Sequence, residues 1–173
     1  MPLPASPLVR SIFPFLLALG VACPLSAQDE EGDVQAGALR VGISYLDITG
    51  RHEDAPAMEL GYRPERPALG PLSSDVGILV GWDGTLFGFV GTRLPLSPFD
   101  WLVLAPTFGA GLYRAGEGIE LGSPVEFRSG LEVGLRFSGN SAILLNFYHL
   151  SNAGISDRNP GVEVLGLGYS LSW

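Results

Sequence analysis

The chain of 173 residues has no lysine, two histidines and a single cysteine, Cys23. One cysteine excludes an internal disulfide framework and a cysteine zinc cluster. Ten arginines face eighteen acidic residues, giving a formal charge of -8. Nucleic acid is therefore a poor partner, because phosphate binding needs clustered cations. Long apolar runs are missing too. The longest, Ile12 to Ala22, is about eleven residues, well short of the ~20 that a membrane-spanning helix requires.

The start of the chain reads as an export signal. Arg10 supplies a positive region, Ile12 to Ala22 an apolar one, and Leu25-Ser26-Ala27 a small-residue cleavage site, so residues 1–27 are expected to be removed. Cys23 precedes that cut; as a lipoprotein acylation site it would want a leucine where Gly20 stands. Residues 28–173 then form one domain, with no cysteine and, without Arg10, a charge of -9 instead of -8. Gln28 to Gln35 is acidic and reads as a short leader.

Helical periodicity is also lacking after residue 35, whereas alternation with period two recurs between Gly, Pro, Asn and Asp clusters. Eight strands are expected, near 36–48, 57–64, 75–83, 85–94, 101–113, 126–137, 141–152 and 162–173. The first places Leu39, Val41, Ile43 and Tyr45 against Arg40, Gly42 and Ser44. Asp83-Gly84 marks a tight hairpin. The strand after it is rich in Phe and Gly, and its facing is open. Pro106 predicts a bulge or irregular pairing in the fifth strand. In the sixth, Phe127, Leu131, Val133, Leu135 and Phe137 alternate with Glu126, Arg128, Gly130, Glu132, Gly134 and Arg136.

One oily face opposite a small or charged face fits either a soluble sandwich or a small outer-membrane barrel. The export signal, strands of about ten residues, and a terminal Tyr169, Leu171, Trp173 series favour the membrane. The expectation is an all-β, eight-stranded antiparallel transmembrane barrel in the bacterial outer membrane. Glu126, Arg128, Glu132 and Arg136 then point into the lumen, with opposite charges pairing at two- and four-residue offsets. Eight strands enclose packed side chains instead of a wide channel.

Against that pattern, the last fifty residues carry an anomaly. His149 and Ser151 share the oily face of the seventh strand with Ile143, Leu145 and Phe147, and Glu163 shares the matching face of the eighth. Adjacent antiparallel strands bring Glu163 directly or diagonally opposite His149. Counting ~3.3 Å per residue and a tilt of roughly 40° puts His149 about 20 Å up an apolar band ~25 Å tall, near the outer rim. A serine attacks an ester carbonyl when a base takes its proton, a histidine is such a base, and a carboxylate holds its tautomer. Ser151, His149 and Glu163 suit those roles. Asn152 and the backbone amides near Ala153-Gly154 are candidates for an oxyanion hole, provided Asn152 turns from its lumenal parity. Alternatively, His149 and Ser151 meet headgroup water, and Glu163 is a rim charge.

The run His149-Leu150-Ser151-Asn152-Ala153-Gly154-Ile155, followed by Asn159-Pro160-Gly161-Val162-Glu163, resembles the signature of the lipid A deacylase family, PagL. The resemblance is strongest from about Glu126 to Trp173. It implies an outer-membrane barrel that hydrolyses the ester-linked 3-hydroxyacyl chain at position 3 of lipid A, with no metal or other cofactor. Its motif serine, histidine and glutamate map onto Ser151 as nucleophile, His149 as base and Glu163 as orienter. Partners are then lipopolysaccharide and membrane lipids; the oligomeric state stays open, a homodimer among the options.

Two rivals remain: a non-enzymatic barrel that stiffens the envelope or displays loops, and a phospholipase-type barrel. His52 with Glu53 and Asp54 reads as solvated loop charge before a cation site. Arg158, beside Asp157, reads as one of a surface pair or as a contact for a lipid A phosphate.

Overall fold

The computed structural model describes residues 37–50, 55–65, 67–137 and 140–173. The proposed signal, the acidic leader and the His52 loop lie outside them. Among the described residues nine strands form: β1 (Ala38–Leu46), β2 (Ala55–Arg63), β3 (Pro67–Leu69), β4 (Leu72–Gly81), β5 (Leu86–Arg93), β6 (Leu102–Arg114), β7 (Val125–Arg136), β8 (Ser141–Ser151) and β9 (Val162–Ser172). Each neighbour in sequence pairs antiparallel, except that β2 pairs with β4 and leaves the short β3 as a flap on β4. β1 pairs with both β2 and β9, so eight strands close into a barrel with no free edge.

The alternation of the sequence becomes inside and outside. Residues of the oily faces, such as Ile43 at 62 % and Leu112 at 68 % exposed, look outward where lipid would meet them. Rings collect at the end that holds the C-terminus: Tyr62 stacks on Trp173 at 6.3 Å and Phe99 on Trp101 at 5.6 Å, the pattern of an interfacial aromatic girdle.

The lumen is filled in two tiers. Toward the end carrying the β6–β7 and β8–β9 connections lies an apolar plug that includes Leu46, Leu79, Phe87, Tyr148, Leu150, Val162 and Val164. Below it is a charged cluster. Glu132 meets Arg93 at 2.8 Å and Arg40 at 3.4 Å and also pairs with Arg63, while Asp75 meets Arg40, Arg63 and Arg128 at 3.5, 3.5 and 3.6 Å. The guanidinium of Arg128 also lies over the rings of Tyr148 and Phe89, at 4.0 and 4.7 Å. Tyr148 fits because it lies over Gly130, where a side chain would collide with it.

Three expectations change. Glu126, Arg128 and Glu132 are lumenal, but the partners of Arg128 and Glu132 come from across the barrel instead of from the same strand, because short offsets cannot compete with charges converging on the axis. Arg136 is exposed at the mouth and donates to the Asp100 carbonyl. Pro106 makes no bulge: it pairs with Leu131 in an unbroken β6–β7 register, and its carbonyl accepts from Leu94 beyond the last β5 pair. N–H and C=O of one strand residue point the same way, so the missing donor faces Leu94, in the segment after β5, and the β6–β7 ladder loses no bond. The facing of β5, open from the sequence, has Phe87 and Phe89 inside and Leu86 and Val90 outside.

Candidate active site

The last two residues of the outward β8 face are His149 and Ser151, after exposed Ile143, Leu145 and Phe147. Their lumenal alternates explain why this rim is firm. Leu150 and Val162 are 0 % exposed in the plug, so the backbone of both strands is anchored from behind. On β9 the residue paired with His149 is Glu163, the closest register available to the expected pair. His149 Nδ1 lies 3.4 Å from Glu163 Oε1, with the imidazole 41 % and the carboxylate 19 % exposed. Closing by about 0.4 Å reaches ordinary hydrogen-bond length. A proton on Nδ1 facing the carboxylate leaves the Nε2 lone pair free to act as a base.

Ser151 follows two residues along the same face, about 6.6 Å further by Cα. On the other flank, β7 places Ser129 beside His149 and Phe127 beside Ser151. The imidazole is seated on Gly161. A Cβ there would stand 2.5 Å from His149 Cε1 and 2.9 Å from Nε2, and the residue has φ +67°. Only glycine satisfies both the contact and that backbone.

Above the strands, the β8–β9 connection begins with a tight turn. Ile155 N–H donates to Asn152 O at 3.0 Å, and both central residues have positive φ, Ala153 at 53° and Gly154 at 82°. The two oxyanion candidates, Asn152 and Gly154, have other partners in this structure. Asn152 keeps its lumenal parity and is 0 % exposed. Its Nδ2 donates to Leu121 O and Arg158 O, both at 2.8 Å, and its Oδ1 accepts the Gly154 N–H at 3.0 Å. These donors brace loops and are not turned toward Ser151. The reason is burial: an amide enclosed among carbonyls stays where each polar atom finds a partner. Asn159 Oδ1, in turn, accepts the backbone N–H of Asn152 at 3.1 Å, which brings the Asn159 amide to within one residue of Ser151.

Arg158 pairs with backbone instead of with Asp157: its Nε donates to Glu120 O at 3.0 Å, tying the β8–β9 connection to the β6–β7 one. Sequence reasoning missed Thr49, whose hydroxyl lies 3.1 Å from Glu163 Oε2. It follows β1, 114 positions before its partner, with no local motif to flag it. Among the described residues, no group of three or more His, Cys, Asp and Glu side chains is placed to hold a metal ion.

The family model described as "Lipid A 3-O-deacylase (PagL)" matches residues 61–172. No curated protein matches the sequence at a significant level. Two solved structures share the fold: one titled "Crystal structure of the outer membrane enzyme PagL", at TM-score 0.56 and 18 % identity over 79 % of this chain and 99 % of that one; and one from "De novo design of transmembrane beta-barrels", at TM-score 0.56 and 16 % identity over 83 % of this chain and 100 % of that one.

Proposed function

The chain belongs to the lipid A 3-O-deacylase (PagL) family, an outer-membrane barrel family, and on that footing we propose that it removes the ester-linked 3-hydroxyacyl chain at position 3 of lipid A, using Ser151, His149 and Glu163. Residues 1–27 are proposed as the export signal and 28–173 as the barrel enzyme; the intact mass of the exported protein tests that cut. The observation that carries the reading is the direct pairing of His149 with Glu163 on an outward face, with Ser151 two residues further along. A soluble substrate does not require such a site to face lipid, whereas a substrate anchored in the outer leaflet arrives there laterally.

The reading implies the following steps. His149 Nε2 takes the Ser151 hydroxyl proton as Oγ bonds to the acyl carbonyl carbon, whose π electrons move to oxygen. Collapse breaks the bond to the sugar 3-oxygen, which leaves with the proton from His149. Water then repeats the sequence: His149 takes its proton, hydroxide adds to the acyl carbonyl, and Ser151 departs with that proton, freeing a 3-hydroxy fatty acid. Glu163 holds the tautomer and stabilises the imidazolium formed in each half. For the developing oxyanion, the reading uses the Asn159 amide, whose Oδ1 accepts from Asn152 N–H, and the N–H of Ala153, since the donors of Asn152 and Gly154 are engaged elsewhere. The positive φ of Ala153, a strained setting for a residue with a Cβ, supports a working role for its peptide.

The test reconstitutes the full barrel with lipid A and, separately, with phospholipids, followed by mass spectrometry. Lipid A is expected to lose one ester-linked 3-hydroxyacyl group, and Ser151→Ala or His149→Ala to lose activity by roughly 10²-fold or more. Unchanged lipid A contradicts the reading, and cleaved phospholipid favours a phospholipase-type barrel.

A further inference from the structure

We propose that Thr49, on the turn after β1, is a positioning residue for the reaction, its hydroxyl fixing the carboxylate that orients His149. The proposal rests on the reading of Glu163 as the partner of His149. The two oxygens of Glu163 have different neighbours: Oε1 lies 3.4 Å from His149 Nδ1, and Oε2 lies 3.1 Å from Thr49 Oγ1. The terminal torsion of a glutamate is broad and roughly two-fold, so packing along the stem leaves the carboxylate plane loose. A hydroxyl donating to Oε2 sets that plane and presents Oε1 to the imidazole.

The backbone delivers the hydroxyl to this place. β1 runs beside β9 in unbroken register to Leu46 opposite Val164, and Ile48 N–H then donates to the carbonyl of Glu163 itself at 3.2 Å. Asp47 turns the chain with φ 55°, and Gly50 N–H closes the turn on Asp47 O at 2.8 Å. Thr49 is thereby carried over the glutamate. Its Oγ1 is also 3.0 Å from Asp47 Oδ1. One hydroxyl hydrogen serves one acceptor at a time, and in the proposed role it serves Glu163. Thr49 also precedes the segment 61–172 matched by the family model, so the role is one that the deacylase match does not assign.

The test compares Thr49→Val, which keeps the shape and removes the donor, with Thr49→Ser, which keeps the donor, and with Glu163→Ala, all as full barrels reconstituted with lipid A. Heat-dependent migration on gels reports whether each barrel is folded. Thr49→Val is expected to lower kcat about tenfold, the scale of one hydrogen bond to a charged group, with KM within about twofold. Thr49→Ser is expected to restore kcat to within about threefold of the starting protein on the same scale. A folded Thr49→Val barrel with unchanged kcat, a change in KM alone, or a serine variant no better than valine overturns the proposal. Glu163→Ala with full activity overturns the triad reading itself and takes this proposal with it; an inactive Glu163→Ala beside a fully active Thr49→Val overturns the Thr49 role alone.

Discussion

A methyl group at residue 161 has nowhere to go. Its position, 2.5 Å from Cε1 and 2.9 Å from Nε2 of His149, would displace the imidazole edge proposed to act on Ser151. Gly161→Ala is therefore expected to leave a folded barrel while lowering kcat by about 10²-fold, since misplacement by about 1 Å costs that much. Gly84→Ala provides the comparison. Gly84 also has positive φ, 81°, but its added Cβ would meet nothing closer than Gly116 Cα at 3.6 Å, so activity should stay within about twofold. Initial rates on lipid A separate the two. At this scale the sequence was legible wherever parity sufficed. His149, Ser151 and Glu163 share one face because strand residues alternate, and the meeting of His149 with Glu163 needed only the pairing of consecutive strands. Thr49 needed the closure of β1 onto β9, and Gly161 needed a ring position, neither of which alternation contains.

The connections form the next scale. Asn152 joins β8 to the β6–β7 connection through Leu121 O and to its own loop through Arg158 O, and Arg158 Nε reaches Glu120 O. Removing the amide strands buried acceptors, at about 1–3 kcal/mol each. Asn152→Ala is thus expected to keep the strands but make the 115–124 and 152–161 connections more sensitive to added protease, with activity falling as Ser151 loses its frame. Limited proteolysis followed by peptide mapping checks this; cleavage unchanged at both loops contradicts it. The same residue shows what a motif leaves out: a polar side chain beside a candidate serine reads as chemistry, while its burial and partners, visible only in the fold, fit a brace. Eight strands were legible because oily and small faces alternate cleanly over about ten residues. The flap β3 was not, since three residues of a Pro-rich connection carry no periodicity. Pro106 misled in the other direction, because its missing N–H faces the segment after β5 and leaves the β6–β7 ladder whole.

Across the whole molecule, the barrel holds a charged cluster beneath an apolar plug, and the site sits on the plug's outer wall. Glu132 is 0 % exposed and serves Arg40, Arg63 and Arg93 together. Glu132→Ala leaves Arg93 without a carboxylate and Arg40 and Arg63 with Asp75 alone, and breaking a buried pair in this way costs about 3–5 kcal/mol. The temperature at which the folded gel band is lost should fall clearly below that of the parent barrel; an unchanged temperature would show that the cluster does not hold the lumen. Which residues face the lumen was legible from alternation, but which of them meet across it depends on register and closure. The claim that unites the scales is that Ser151 is a nucleophile on the lipid-facing rim. It is tested most directly by treating the barrel in lipid A vesicles with an alkyl fluorophosphonate and mapping the adduct by peptide mass. The account predicts modification at Ser151, strongly reduced in His149→Ala; lipid A deacylated by a barrel whose Ser151 stays unmodified would contradict it.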